Sequence, residues 1–169
     1  MQSIAAILSV TELFDNLSKS QLELVAAICS SSEYQPGDVL MKEQERGSDG
    51  MYIIARGSVE VLMNPSFVGA NADENMEPVV LTELRQGQVF GEVSLVDQGI
   101  RSATIRVNQD GTQLIGIPRD KLIKLCDTYP ELGYKFMKNV AADLAFKIRN
   151  TDLTIRQYQL LLSQSKSSE

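Results

Sequence analysis

The feature that most constrains this chain is a series of short β-rich runs, punctuated by turn residues, between Glu33 and Pro118. Tyr34 and residues 39–41, 51–54, 59–62, 79–81, 102–107 and 113–117 carry the apolar, β-branched and aromatic side chains of strands. Between them lie Pro36-Gly37-Asp38, Arg46-Gly47-Ser48-Asp49-Gly50, Arg56-Gly57, Arg85-Gln86-Gly87 and Asn108-Gln109-Asp110-Gly111. Such glycines suit the positive φ of tight turns better than they suit a phosphate loop. Many short strands separated by regular turn signals predict an antiparallel sandwich or barrel. Residues 64–78 hold Asp73, Glu74 and Glu77 without the ligand spacing of an EF-hand, and so read as a surface hairpin tip.

Helical periodicity flanks this β-rich stretch. Residues 3–16 and 18–29 read as two helices, with Ser18 and Gln21 in capping-box spacing and Leu22, Val25, Ala26 and Cys29 on one face. Residues 120–127 read as a short amphipathic helix that ends at Tyr129, because proline disfavours helix in the residue before it. A second helix starts at Pro130, with Glu131 at the positive end of its dipole. Met137, Val140, Leu144, Ile148, Thr151, Ile155, Tyr158 and Leu162 then recur at steps of three or four. The stripe from Met137 to Ile148 is expected to pack on the β-roll. Beyond Thr151 little remains to cover, which points to a partner helix and a parallel homodimer. Residues 163–169 read as a frayed polar tail. The expected organisation is a single domain over 1–165, with helices over 3–29, a β-roll over 33–118 and helices over 119–164.

Composition excludes several functions. The net charge is −6, with 16 basic and 22 acidic residues, so nothing global attracts nucleic acid or an acidic membrane. An anionic ligand would need a local focus of positive charge. Histidine is absent, which removes the commonest general base and every histidine-centred metal site, and argues against an enzyme. No metal site is expected. Cys29 and Cys126 sit in apolar helical runs and read as reduced core residues of a cytoplasmic protein. No apolar run reaches the ~20 residues that span a bilayer, and Met1 to Val10 lacks the basic start of a signal peptide.

Function concentrates in residues 90–104, Phe-Gly-Glu-Val-Ser-Leu-Val-Asp-Gln-Gly-Ile-Arg-Ser-Ala-Thr. Gly91 lets backbone approach a ligand closely, the residues after it suit a helix start with free N–H groups, and Arg101 offers a planar fork to two phosphate oxygens. Glu92 repels phosphate and suits hydroxyl donors. A ligand with both a sugar and a phosphate is implied. Singly, Glu92 also fits an exposed strand-end carboxylate, and Arg101 a surface cation paired with Asp97.

This segment resembles the phosphate-binding cassette of the cyclic nucleotide-binding domain family, the module shared by the catabolite activator protein, the protein kinase A regulatory subunit and cyclic nucleotide-gated channels. Gly91, Glu92, Leu95, Arg101, Ala103 and Thr104 match its pattern and its Glu-to-Arg spacing. Gly37 and residues 47–57 resemble the family's turn glycines. The resemblance implies a mainly β fold with flanking helices, a double-stranded β-helix (jelly roll) with an N-terminal helical segment and two C-terminal helices. It implies Glu92 on the ribose 2′-hydroxyl, Arg101 on the cyclic phosphate, further contacts from the Ser94 N–H and Ser102, and Gly91, Val93 and Ala103 beside them.

Two residues depart from the pattern: Ser94 replaces an alanine, and Ile100 replaces a proline in a way that is expected to loosen the loop. The ligand implied is cAMP or cGMP. Ser102 resembles a guanine-contacting threonine of cGMP kinases, but the Arg-Ser-Ala run resembles the cAMP-binding regulators and favours cAMP. Asn139, Asp143 and Lys147 are candidate base contacts on a C-terminal lid helix, and Glu92 and Arg101 are expected to pair with one another or hold water when no ligand separates them. The expected role is a stand-alone sensor without a DNA-binding domain, acting on an unknown effector through its C-terminal helices. The alternative is a β-roll scaffold or interaction domain with a non-functional pocket.

Overall fold

The computed structural model describes residues 3–46, 50–67, 77–97 and 99–166, with main chain alone at 165 and 166. The expected turn at Gly47, Ser48 and Asp49, and most of the 64–78 hairpin tip with Asp73 and Glu74, lie outside the described residues.

Among the described residues, eight antiparallel strands form two four-stranded sheets. In chain order they are β1 (Ser30–Tyr34), β2 (Val39–Met41), β3 (Met51–Arg56), β4 (Ser58–Met63), β5 (Val79–Arg85), β6 (Val89–Phe90), β7 (Thr104–Val107) and β8 (Thr112–Ile117). One sheet runs β1-β8-β3-β6 and the other β2-β7-β4-β5. Neighbouring β3 and β8 pair from Met51↔Ile117 to Ile54↔Leu114, so successive side chains face opposite sides. Ile54 and Leu114 meet Val59, Phe90, Ile105 and Val107 between the sheets, while Met51, Ile53, Ile115 and Ile117 face the helices. The first sheet is thus apolar on both faces and sits at the centre of a three-layer molecule. This is the expected mainly β jelly roll with flanking helices.

The helices are α1 (Ile4–Leu8), α2 (Lys19–Ala26), α3 (Val93–Asp97), α4 (Arg119–Thr128) and α5 (Pro130–Lys166). Residues 3–16 do not form one helix. α1 stops at Leu8 and a 3-10 turn follows at Glu12–Phe14. Ser9 Oγ donates to the Ala6 carbonyl at 2.8 Å and Thr11 Oγ1 to the Ile7 carbonyl at 2.9 Å. These hydroxyls offer the last carbonyls an alternative to further helix. The Ser18–Gln21 capping box does form, with both reciprocal bonds made. α2 ends at Ala26, earlier than its periodicity suggests, because Ser30 to Tyr34 pair with Gly116 to Thr112 as a strand. Tertiary pairing overrides the weak strand preference of three serines.

α5 runs 37 residues without a break, about 55 Å. Leu132, Phe136 and Val140 are buried against the N-terminal helices and α4, and the Phe136 ring stacks on Phe14 with centroids 5.4 Å apart. The apolar stripe leaves the core sooner than its spacing suggests: Ile148 is 63% exposed, as is nearly every large apolar side chain after it. Residues 163–166 continue the helix where a frayed tail was expected.

Candidate functional site

Residues 90–94, 97 and 100–103 line a cavity of about 670 Å³, a size ordinary for small-ligand sites. After β6, Gly91 turns the chain with φ +84°, and a Cβ there would sit 2.7 Å from Met41 Cε, 2.9 Å from the Gly50 carbonyl and 3.2 Å from Arg101 Nη1. Only glycine fits both the angle and the space. The chain then enters α3, whose first residues Val93 and Ser94 border the cavity with Glu92. Gly91, Glu92, Val93, Ser94, Arg101, Ser102 and Ala103 all line it.

The two charges are both withdrawn from solvent, Glu92 at 5% and Arg101 at 7% exposure. They do not pair with one another. Arg101 Nη1 donates to Ser94 Oγ at 2.8 Å and more weakly to the Gly91 carbonyl at 3.5 Å, while Nη2 donates to the Gly50 carbonyl at 3.3 Å. Every one of these acceptors is neutral. Among the described residues no carboxylate lies within ion-pair distance of this guanidinium. Asp97, the surface partner that spacing alone allowed, instead accepts from the Gly99 N–H. A buried cation among neutral acceptors favours an anion beside it.

Glu92 takes its cation from α5. Lys147 Nζ lies 2.7 Å from Glu92 Oε1 and 2.8 Å from Asp143 Oδ2. The first contact is a hydrogen bond. The second is an ion pair whose angle at Asp143 Oδ2 falls outside hydrogen-bond geometry. Burial pushes the Lys147 ammonium down, but the carboxylates of Asp143 and Glu92 outweigh it and hold its pKa above the ordinary value. Lys147 and Asp143 line the cavity, as does the exposed Phe146. Asn139 does not. Its amide donates to the carbonyls of Leu13 and Asp15 at 3.2 and 2.8 Å and fastens α5 to the N-terminal 3-10 turn.

Ile100 and Arg101 make main-chain contacts with the 44–46 turn. Ile100 bridges Arg46, the Arg101 N–H donates to the Glu45 carbonyl at 2.8 Å, and the Gln44 N–H donates to the Arg101 carbonyl at 3.0 Å. Main-chain bonds to the 44–46 turn do what a proline ring would do by fixing φ. Sequence reasoning missed this turn, the Gly50 carbonyl and the Val10 to Leu13 edge of the cavity, since each reaches the site only through folding. Arg119 was missed as well: its Nε donates to the Leu95 carbonyl at 3.2 Å and ties α4 to α3.

The sequence profile of the cyclic nucleotide-binding domain matches residues 31–129, more than half of the chain, and the chain belongs to that family. Human cGMP-dependent protein kinase 2 is 26% identical over 132 residues, which are 78% of this chain and 16% of the kinase. The cAMP-activated global transcriptional regulator CRP of Pasteurella multocida is 28% identical over 159 residues, covering 88% of this chain and 69% of the regulator. Among solved structures, the Thermus thermophilus catabolite activator protein superposes with a TM-score of 0.71 at 25% identity, over 88% of this chain and 63% of that one. Such domains are regulatory rather than catalytic modules. No helix among the described residues is long and apolar enough to cross a membrane.

Proposed function

We propose that this protein is a cytoplasmic cyclic nucleotide sensor that prefers cAMP to cGMP, without catalytic activity of its own. Arg101 takes the cyclic phosphate and Glu92 the ribose 2′-hydroxyl, with Gly91, Val93, Ser94, Ser102 and Ala103 around them. The observation that carries this reading is the Arg101 guanidinium, buried on a cavity wall and, among the described residues, bonded only to neutral oxygens. A phosphate between two of its N–H groups compensates that charge with the bidentate geometry arginine is built for. Family membership supplies the ligand class, and the long match to a regulator named as cAMP-activated supports cAMP.

The output passes through α5. Lys147 binds the carboxylate that receives the sugar, so ligand at Glu92 and the position of α5 are linked through one side chain. The nucleotide shifts α5 only by its differential affinity for the two helix positions. Beyond Thr151 the exposed Leu153, Ile155, Tyr158 and Leu162 suit a second copy of the helix, giving a parallel homodimer through which an effector reads the signal.

Calorimetric titration with cAMP and cGMP tests the reading. Wild-type protein is expected to bind both, cAMP more tightly, and Arg101→Ala is expected to lose about 100-fold or more in affinity. Absence of heat and of thermal stabilisation with either nucleotide would leave a β-roll scaffold in place of a sensor.

A further inference from the structure

Without ligand, the carboxylate that would receive a sugar hydroxyl already holds a cation of the chain's own. Lys147 Nζ donates to Glu92 Oε1 at 2.7 Å, and both side chains line the cavity. The lysine is the more exposed partner, so it stands between the acid and the solvent. One helical turn earlier on α5 lies a second carboxylate, Asp143, whose Oδ2 is 2.8 Å from the same Nζ. That oxygen is buried and, among the described residues, receives no hydrogen bond. An ammonium has three donors and turns about a flexible stem. Stripping a partner from a half-buried charge is costly unless another partner is at hand. Asp143 is such a partner, and it moves with Lys147 because both belong to α5.

We propose that Lys147 is a built-in competitor for the sugar subsite, displaced from Glu92 by the ribose 2′-hydroxyl and received by Asp143. This inference rests on the reading that Glu92 takes that hydroxyl, and it gives the coupling a sign. The incoming hydroxyl donates to Glu92, the ammonium turns onto Asp143 Oδ2, and α5 loses its ionic tie to residues 90–104. Nucleotide thus releases α5 at this point and does not clamp it. A nucleotide without the 2′-hydroxyl brings nothing to replace the ammonium, so it leaves the tie in place.

The sign makes the test sharp, because on charge alone a cation lost from the wall of an anion site weakens binding. Wild type, Lys147→Met, Asp143→Asn and the double variant are titrated with cAMP and with 2′-deoxy-cAMP. Lys147→Met is expected to bind cAMP about 5- to 30-fold more tightly, since a contact that must open first lowers apparent affinity by the fraction of protein free of it. It is expected to gain little with 2′-deoxy-cAMP. Asp143→Asn is expected to bind cAMP about 3- to 10-fold more weakly, because the displaced ammonium loses its second carboxylate. In the Lys147→Met background the same substitution is expected to have no effect. Unchanged or weaker cAMP binding by Lys147→Met, equal gains with the two nucleotides, or an equal loss from Asp143→Asn in both backgrounds overturns the proposal. A wild type that binds neither nucleotide refutes the sensor reading, and the proposal falls with it.

Discussion

Lys147→Met removes the ammonium that joins α5 to Glu92 and keeps most of the aliphatic stem. The side chain of Glu92 is 7% exposed and that of Lys147 44%, so the pair is neither a surface ion pair nor a fully buried one. Exposed pairs contribute about 0–1 kcal/mol, while breaking a buried pair by removing one partner costs about 3–5 kcal/mol. Discounted for the solvent that still reaches Lys147, the expected loss is about 1–2 kcal/mol. Unfolding entropy of about 2.1 cal/mol/K per residue converts this to a melting-temperature drop of about 3–6 °C for a chain of this length.

The assay is thermal unfolding without nucleotide, run as a double-mutant cycle with Glu92→Gln. The coupling energy is expected to account for most of the loss. Because folding raises the Lys147 pKa above its ordinary 10.5, its contribution is complete below pH 10.5 and is lost as pH climbs through the raised value. The difference between wild type and variant is therefore flat through neutral pH. A melting drop under about 1 °C, or strictly additive single variants, would refute the linkage between the Glu92 carboxylate and α5.

Gly91→Ala forces a Cβ onto Met41, the Gly50 carbonyl and Arg101 at a backbone angle alanine disfavours, and is expected to cost about 2–4 kcal/mol in urea unfolding and to weaken nucleotide binding. Burial pushes the Cys29 thiol from 9.0 up to about 12 and also raises Cys126, so neither is expected to react with a thiol reagent near pH 8 until the protein is unfolded. The stability owed to a protonated Cys29 is complete below pH 9.0 and declines from there toward about 12, which a pH series of urea melts in the wild type and Cys29→Ala reads directly.

The strands of the roll were legible because period-2 alternation and turn glycines are local properties. Met51, Ile53 and Ile54 declare a strand buried on both faces, and Gly57 and Gly111 mark reversals wherever the chain goes next. Strand Ser30–Tyr34 was legible only at its end, since its serines become a strand by pairing with β8, some 80 residues away. The amphipathic start of α5 was legible for the same local reason. Its departure from the core at Ile148 was not, because periodicity records which face is apolar and not where the protein beneath it ends.

By itself the sequence determined the family, the 90–104 segment and the two opposite charges within it, since residue type and spacing along one short loop carry that information. Only tertiary structure decided how those charges are spent. It separated Glu92 from Arg101, gave the acid to Lys147 from a helix 55 residues away, and surrounded the guanidinium with the Ser94 hydroxyl and two carbonyls. Long-range electrostatic partners depend on which surfaces the fold brings within a few ångströms, and burial sets how strongly they interact. Neither quantity is written in any local stretch of chain.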